Sequence, residues 1–100
     1  MKIIAKPRQQ GKTTEMIKIS AEKNIYIACL NQREAQRIFS QAKYMGLKIP
    51  YPVTFDNLLD REYFAGSMIK DVLIDNADRL LEYIVRPLYI SAASFTEDKR

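Results

Sequence analysis

The chain of 100 residues has no histidine and a single cysteine, Cys29. Without imidazole there is no histidine metal ligand, no histidine general base, and no Ser-His or Cys-His nucleophile pair. One thiol excludes an internal disulfide and a cysteine-built metal cage. No apolar run approaches the roughly 18 residues a membrane span needs. No secretory leader pattern opens the sequence, so an intracellular, cytoplasmic protein with no membrane partner is expected. Repeats, low-complexity tracts and linkers are also lacking. This length predicts one domain over residues 1–95, large enough for a real core, followed by a charged tail over 96–100. The net charge of +4 fits a nucleotide or nucleic-acid partner, although many proteins without either reach the same balance.

What is present is an alternation of short apolar runs with amphipathic stretches. "KIIA" (2–5) reads as a buried strand ending before Pro7. Residues 12–23 put Met16, Ile17, Ser20 and Ala21 on one helical face. "NIYIACL" (24–30) is β-branched and apolar, as a central strand is. Over 31–46, Ala35, Ile38, Phe39, Ala42 and Met45 recur at helical spacing. Asn31 is placed to cap that helix, Glu34 to complete a capping box, and Gly46 to end it. A short strand is expected at 52–55, then a brief helix capped by Asp56 and running through Leu58, Leu59 and Tyr63. "DVLID" (71–75) reads as a strand with a carboxylate at its tip. Residues 76–87 form a helix whose stripe of Ala77, Leu80, Leu81, Ile84 and Val85 belongs to the core, and 88–94 form a last strand. The alternation predicts an α/β three-layer sandwich, a mostly parallel sheet of about five strands with helices on both faces. Ligands of such sheets bind at the carboxyl ends of the strands.

Two features there carry chemistry. Gly11-Lys12-Thr13-Thr14 follows the first apolar run and opens a helix. A turn into a helix start clusters backbone N–H groups and partial positive charge, which suits a phosphate chain. Lys12 adds a mobile positive charge, and the Thr13 hydroxyl is a ligand for Mg²⁺. The usual pattern is G-x-x-x-x-G-K-[ST], and Lys6 stands where its first glycine would be. The bland alternative is a surface turn with a chance match. The second feature is Asp75, which would hold Mg²⁺ opposite Thr13; its bland alternative is a simple helix cap. Cys29 reads as a buried, inert thiol. Tyr44 and Tyr51 lie near a basic helix face, as half-buried packing residues or as platforms for nucleic-acid bases.

These segments together resemble the additional-strand P-loop NTPases with a RecA-like core, in particular one motor half of superfamily 1 and 2 helicases and the ATPases of phage terminase large subunits. "PRQQGKTT" is similar to the terminase form of the loop, in which an arginine precedes GKT and the first glycine is often absent. "VTFDNLL", "VLIDNAD" and "YISAAS" resemble further motifs of the helicases, the last on a strand between those of the loop and the acid. The resemblance implies a minimal P-loop core. In it Arg8, Gln9, Gln10, Gly11, Lys12, Thr13 and Thr14 bind ATP or another NTP, Thr13 and Asp75 hold Mg²⁺, and Lys12, Asp75, Asn76 and Arg8 serve catalysis. It also implies a small, phage-encoded AAA-ATPase-like protein in the host cytoplasm, acting on DNA or RNA.

Two departures bear on turnover. The family has Glu after the acid, and this chain has Asn76; an amide orients water but accepts a proton poorly. Glu15 is an awkwardly placed substitute. The sequence also covers one motor half, so a protein partner would supply a second half or an arginine finger, unless Arg8 acts in cis. Three readings follow: a Mg-ATP-binding protein with weak or partner-dependent hydrolysis; a hydrolysis-dead interaction module or inhibitor that binds a protein or nucleic acid; and an ATPase whose oligomer donates Arg33, Arg79 or Arg86 to a neighbour.

Overall fold

The computed structural model describes residue 4 and residues 11–96. The expected strand at 2–5, apart from Ile4, falls outside the described residues, as do Lys6, Arg8, Gln9, Gln10 and residues 97–100 of the tail.

The described chain runs α1 (Lys12–Lys23), β1 (Ile27–Cys29), α2 (Gln32–Tyr44), β2 (Val53–Thr54), α3 (Phe55–Leu59), β3 (Leu73–Ile74) and α4 (Ala77–Val85). The three strands form a parallel sheet in the order β2-β1-β3. Its register explains the two layers of core. Ile27 lies beside Leu73, Ala28 beside both Val53 and Ile74, and Cys29 beside Thr54. Because side chains alternate along a strand, Ile27 and Cys29 face one way and Ala28 the other. The first face packs with Ile17 of α1 and with Ala35, Ile38 and Ala42 of α2. The second packs with Val53 and Phe55, joined by Leu58, Phe64, Leu80 and Tyr83. Helices therefore cover both faces of the described sheet.

Local chemistry sets the helix limits. At α1 the expected face is inside: Ile17 and Ser20 are fully buried, and Met16 and Ala21 pack against them. The Ser20 hydroxyl donates to the Ile25 carbonyl at 2.6 Å. Asn31 caps α2 by accepting from the Glu34 N–H at 3.0 Å. The reciprocal half of the expected box is not made, because the Glu34 carboxylate turns to Arg37 instead. Gly46 ends the helix with φ 73°, a left-handed conformation that costs glycine little. At α3 the cap is Thr54 rather than Asp56. Thr54 and Asn57 form a full capping box, because the last strand residue already has the extended backbone a cap needs. The expected helix stops at Leu59, and Tyr63 lies in the turns beyond it.

Two expectations fail at the C-terminal end. Residues 88–94 form no strand; they are irregular and exposed. The α4 stripe is only partly core: Leu80 packs on the second cluster, whereas Ala77 is exposed and Ile84 is 52% exposed. The reason is the way α4 is anchored. Tyr83 packs its ring edge on Phe55 and donates its hydroxyl to Asp56. Leu80 joins the same cluster. The 80/83 face is therefore turned to the sheet, and the 84/85 edge is turned outward. No described strand beyond β3 offers a surface to bury that edge.

Candidate functional site

All three strands are parallel, so their carboxyl ends share one rim. Each leads directly to a helix: Cys29 through Leu30 and Asn31 to α2, Thr54 to α3, and Ile74 through Asp75 and Asn76 to α4. A pocket of about 110 Å³ opens on this rim, lined by Cys29, Leu30, Glu34, Phe55, Asp75, Asn76 and Arg79. A second hollow, lined mainly by Tyr26, Leu58, Phe64 and Ile69, is largely apolar and lies at the opposite, amino ends of β1 and β3.

The N-terminus of α1 meets the same rim. Gly11 precedes it at φ 82°, with no side chain capping the helix. The first backbone N–H of the helix to find a helical carbonyl is that of Glu15, on Gly11. The preceding N–H groups, of Lys12, Thr13 and Thr14, are the orphan donors of a helix start. Lys12 crosses to the tip of β3, where its Nζ donates to Asn76 Oδ1 at 2.9 Å, 64 residues away in sequence. The Thr14 hydroxyl is engaged from the other side by Gln41 at 3.0 Å. That contact ties α1 to α2.

Asn76 occupies a left-handed conformation, φ 59° and ψ 66°. Asparagine tolerates this region better than most side chains. An asparagine therefore suits the tight step from β3 into α4.

Asp75 is the most unusual group at the site. It is 3% exposed and lines the pocket. Its N–H is held by the Ala28 carbonyl at 3.0 Å, yet among the described residues no side chain or N–H donates to its carboxylate. Burial pushes its carboxyl above the ordinary 3.8; Arg37 and then Lys12 pull it down, while Glu34 and Asp78 add to the rise. No fully buried side-chain nitrogen or oxygen among the described residues lacks a partner, so the Asp75 carboxylate oxygens, which accept no such bond, stay open to the pocket, where water or a cation can reach them.

Glu34 and Arg37 complete the rim. Both the Nε and an Nη of Arg37 donate to Glu34 Oε2, at 2.9 and 2.7 Å. Sequence reasoning gave Glu34 only a capping role, and nothing in a linear pattern shows that the first turn of α2 abuts the tip of β3. Arg79, a candidate for donation to a neighbouring subunit, lines the chain's own pocket. Arg33 and Arg86 are exposed, and Arg86 stacks over the Tyr83 ring at 3.9 Å.

Cys29 is 1% exposed, as expected of an inert thiol. Burial first, then the charge of Asp75, pushes its pKa up to about 11. Tyr51 sets its ring against Phe39, with centroids 5.1 Å apart, and is still 45% exposed, whereas Tyr44 is 93% exposed. No three Cys, Asp or Glu side chains among the described residues cluster as a metal cage. No described helix is long and apolar enough to cross a membrane. Comparison of the chain with protein-family models, with curated proteins and with solved structures finds no match, so its function is argued from this rim alone.

Proposed function

We propose that the protein binds a Mg²⁺-nucleoside triphosphate, ATP or another NTP, at the rim formed by the start of α1 and the tip of β3. One observation carries the reading: Lys12, at a helix N-terminus with no side-chain cap, reaches the residue next to Asp75, whose carboxylate opens on the rim pocket and accepts no hydrogen bond from the described residues. The helix start and Lys12 suit phosphate oxygens. Asp75 and the Thr13 hydroxyl suit Mg²⁺, which keeps most of its waters and needs only one or two protein oxygens. When bound, the ion would neutralise phosphate charge. Gly11 lets the backbone come close to the phosphates, and Arg8, Gln9 and Gln10 would extend the cradle upstream.

The finer architecture belongs to the same proposal. A P-loop sandwich of about five strands would need further strands beside β3, whose outer edge has no partner among the described strands, and residues 88–94 do not supply one. Hydrolysis is slow or partner-dependent in this reading, since Asn76 replaces the usual glutamate. The setting is nucleic-acid metabolism, as in phage DNA processing, with DNA or RNA and a protein partner as further ligands.

A second reading is an interaction module that has lost turnover. Asn76 in place of the usual glutamate favours it.

Melting curves of wild type and Lys12→Ala, with and without excess Mg-ATP, test the proposal. Ligand at about 100 times its Kd adds roughly 2.7 kcal/mol. The midpoint of a domain this size should then rise by more than 10 °C, at about 4–8 °C per kcal/mol. The rise should vanish in Lys12→Ala. No rise in the wild type sinks the nucleotide reading and leaves the interaction module.

A further inference from the structure

If a nucleotide binds at this rim, hydrolysis needs a group to take a proton from the attacking water, and neither Asn76 nor Glu15 is placed for it. The Asn76 oxygen already accepts from Lys12, and an amide is a poor base. Glu15 lies in the first turn of α1 and does not line the pocket.

Glu34 does line it, together with Asp75 and Asn76. It is also the only pocket-lining carboxylate besides Asp75 among the described residues. Both bonds from Arg37 fall on Oε2, which leaves Oε1 as an acceptor. Asp75 opens on the same pocket, and no described residue donates to its carboxylate. Asp75, once committed to a cation, could not serve as the base as well.

We infer that Glu34 is the catalytic residue that accepts the proton of the hydrolytic water, with Arg37 as the residue that positions it. This rests on the nucleotide reading above. The water oxygen forms a bond to the terminal phosphorus. The bond from that phosphorus to the bridging oxygen breaks, and its electron pair leaves with the nucleoside diphosphate. One water proton passes to the Glu34 carboxylate and from there to solvent. The products are the diphosphate and inorganic phosphate. The first turn of α2 thus supplies what the turn after β3, confined to a left-handed residue, does not.

The test is Glu34→Gln. The pair with Arg37 is partly exposed, 33% on the Glu34 side. The capping bond uses the backbone N–H of Glu34, and the amide oxygen still accepts from Arg37, so the fold should persist. Two measurements are made on the whole chain. One is single-turnover phosphate release from Mg-ATP. The other is the melting midpoint with Mg-ADP, with and without aluminium fluoride, which mimics the phosphoryl group in flight. Wild type should release phosphate and gain further stabilisation from aluminium fluoride. Glu34→Gln should match wild type with Mg-ADP alone, lose the aluminium fluoride gain, and release phosphate at least about 100-fold more slowly, the low end of a general base's contribution. Release within threefold of wild type overturns the assignment and leaves the nucleotide reading standing. A wild type that binds Mg-ATP but never hydrolyses it does the same. A wild type that binds no nucleotide overturns both.

Discussion

Replacing Asp75 by Asn should make the protein more stable and remove the Mg²⁺ affinity proposed above. The carboxylate is 3% exposed and accepts no hydrogen bond from the described residues. Its oxygens still meet the pocket, since no fully buried side-chain atom among the described residues lacks a partner, so the cost is the partial desolvation of a charge. Arg37 and Lys12 recover part of this by attraction, and an amide in the same place would still lack a partner. The expected net gain is at most about 1 kcal/mol in favour of Asp75→Asn, a rise of up to about 8 °C in the midpoint. The sign with pH follows from the raised carboxyl. The folded chain holds the proton more tightly than the unfolded chain, so wild-type stability falls as pH rises from 3.8 through the higher folded value. The variant's advantage should therefore be near zero below that ordinary value and complete above the folded one. Circular-dichroism melts in EDTA across this range measure it, and a repeat in millimolar Mg²⁺ should narrow the gap by stabilising wild type alone. A variant that melts at or below wild type at neutral pH would refute the reasoning, for it would mean that the carboxylate is a satisfied structural acceptor. A gap that Mg²⁺ leaves unchanged would remove the cation from the site.

Other consequences are simpler to read. Cys29, with its pKa pushed up to about 11, should resist a thiol reagent at pH 8 in the folded protein and react at once in denaturant; rapid reaction in native buffer would contradict its burial. Phe55→Ala removes the largest fully buried side chain, which joins β2 to α4 through Tyr83. A loss of about 3–5 kcal/mol is expected, enough to leave a small domain largely unfolded at 37 °C by circular dichroism. Thr54→Ala, which breaks the capping box of α3, should cost about 1 kcal/mol in urea melts, whereas Asp56→Ala should leave that cap intact. Asn76→Gly relieves the left-handed residue and frees Lys12, so it should retain the fold while changing the response to Mg-ATP.

Local pattern and short-range chemistry were enough to place much of this protein. The faces of α1 and α2 follow from helical spacing: Ile17, Ser20, Ala35, Ile38 and Ala42 are inside as the period requires. The Asn31 cap and the Gly46 stop involve atoms a few residues apart, and such contacts are written in sequence order. The alternation of elements carried the parallel α/β class, though not the number of strands. It also placed Lys12 and Asp75 at helix and strand ends, where a parallel sheet collects them.

What needed three dimensions was everything set by a distant partner. Residues 88–94 have the composition of a strand, but a strand exists only when a neighbour's ladder receives it, and α4 swings on Tyr83 with its 84/85 edge outward. The Lys12–Asn76 bond spans 64 residues, and the left-handed turn that suits Asn76 depends on how β3 enters α4. Glu34 looked like a cap residue because sequence shows only its neighbours. The sheet register brings the end of β1 beside the end of β3, and so places the first turn of α2 in the pocket of Asp75. Sequence alone decided which residues could carry charge and which faces were apolar; only the pairing of the strands decided which charges share a pocket, because that depends on contacts between segments far apart along the chain.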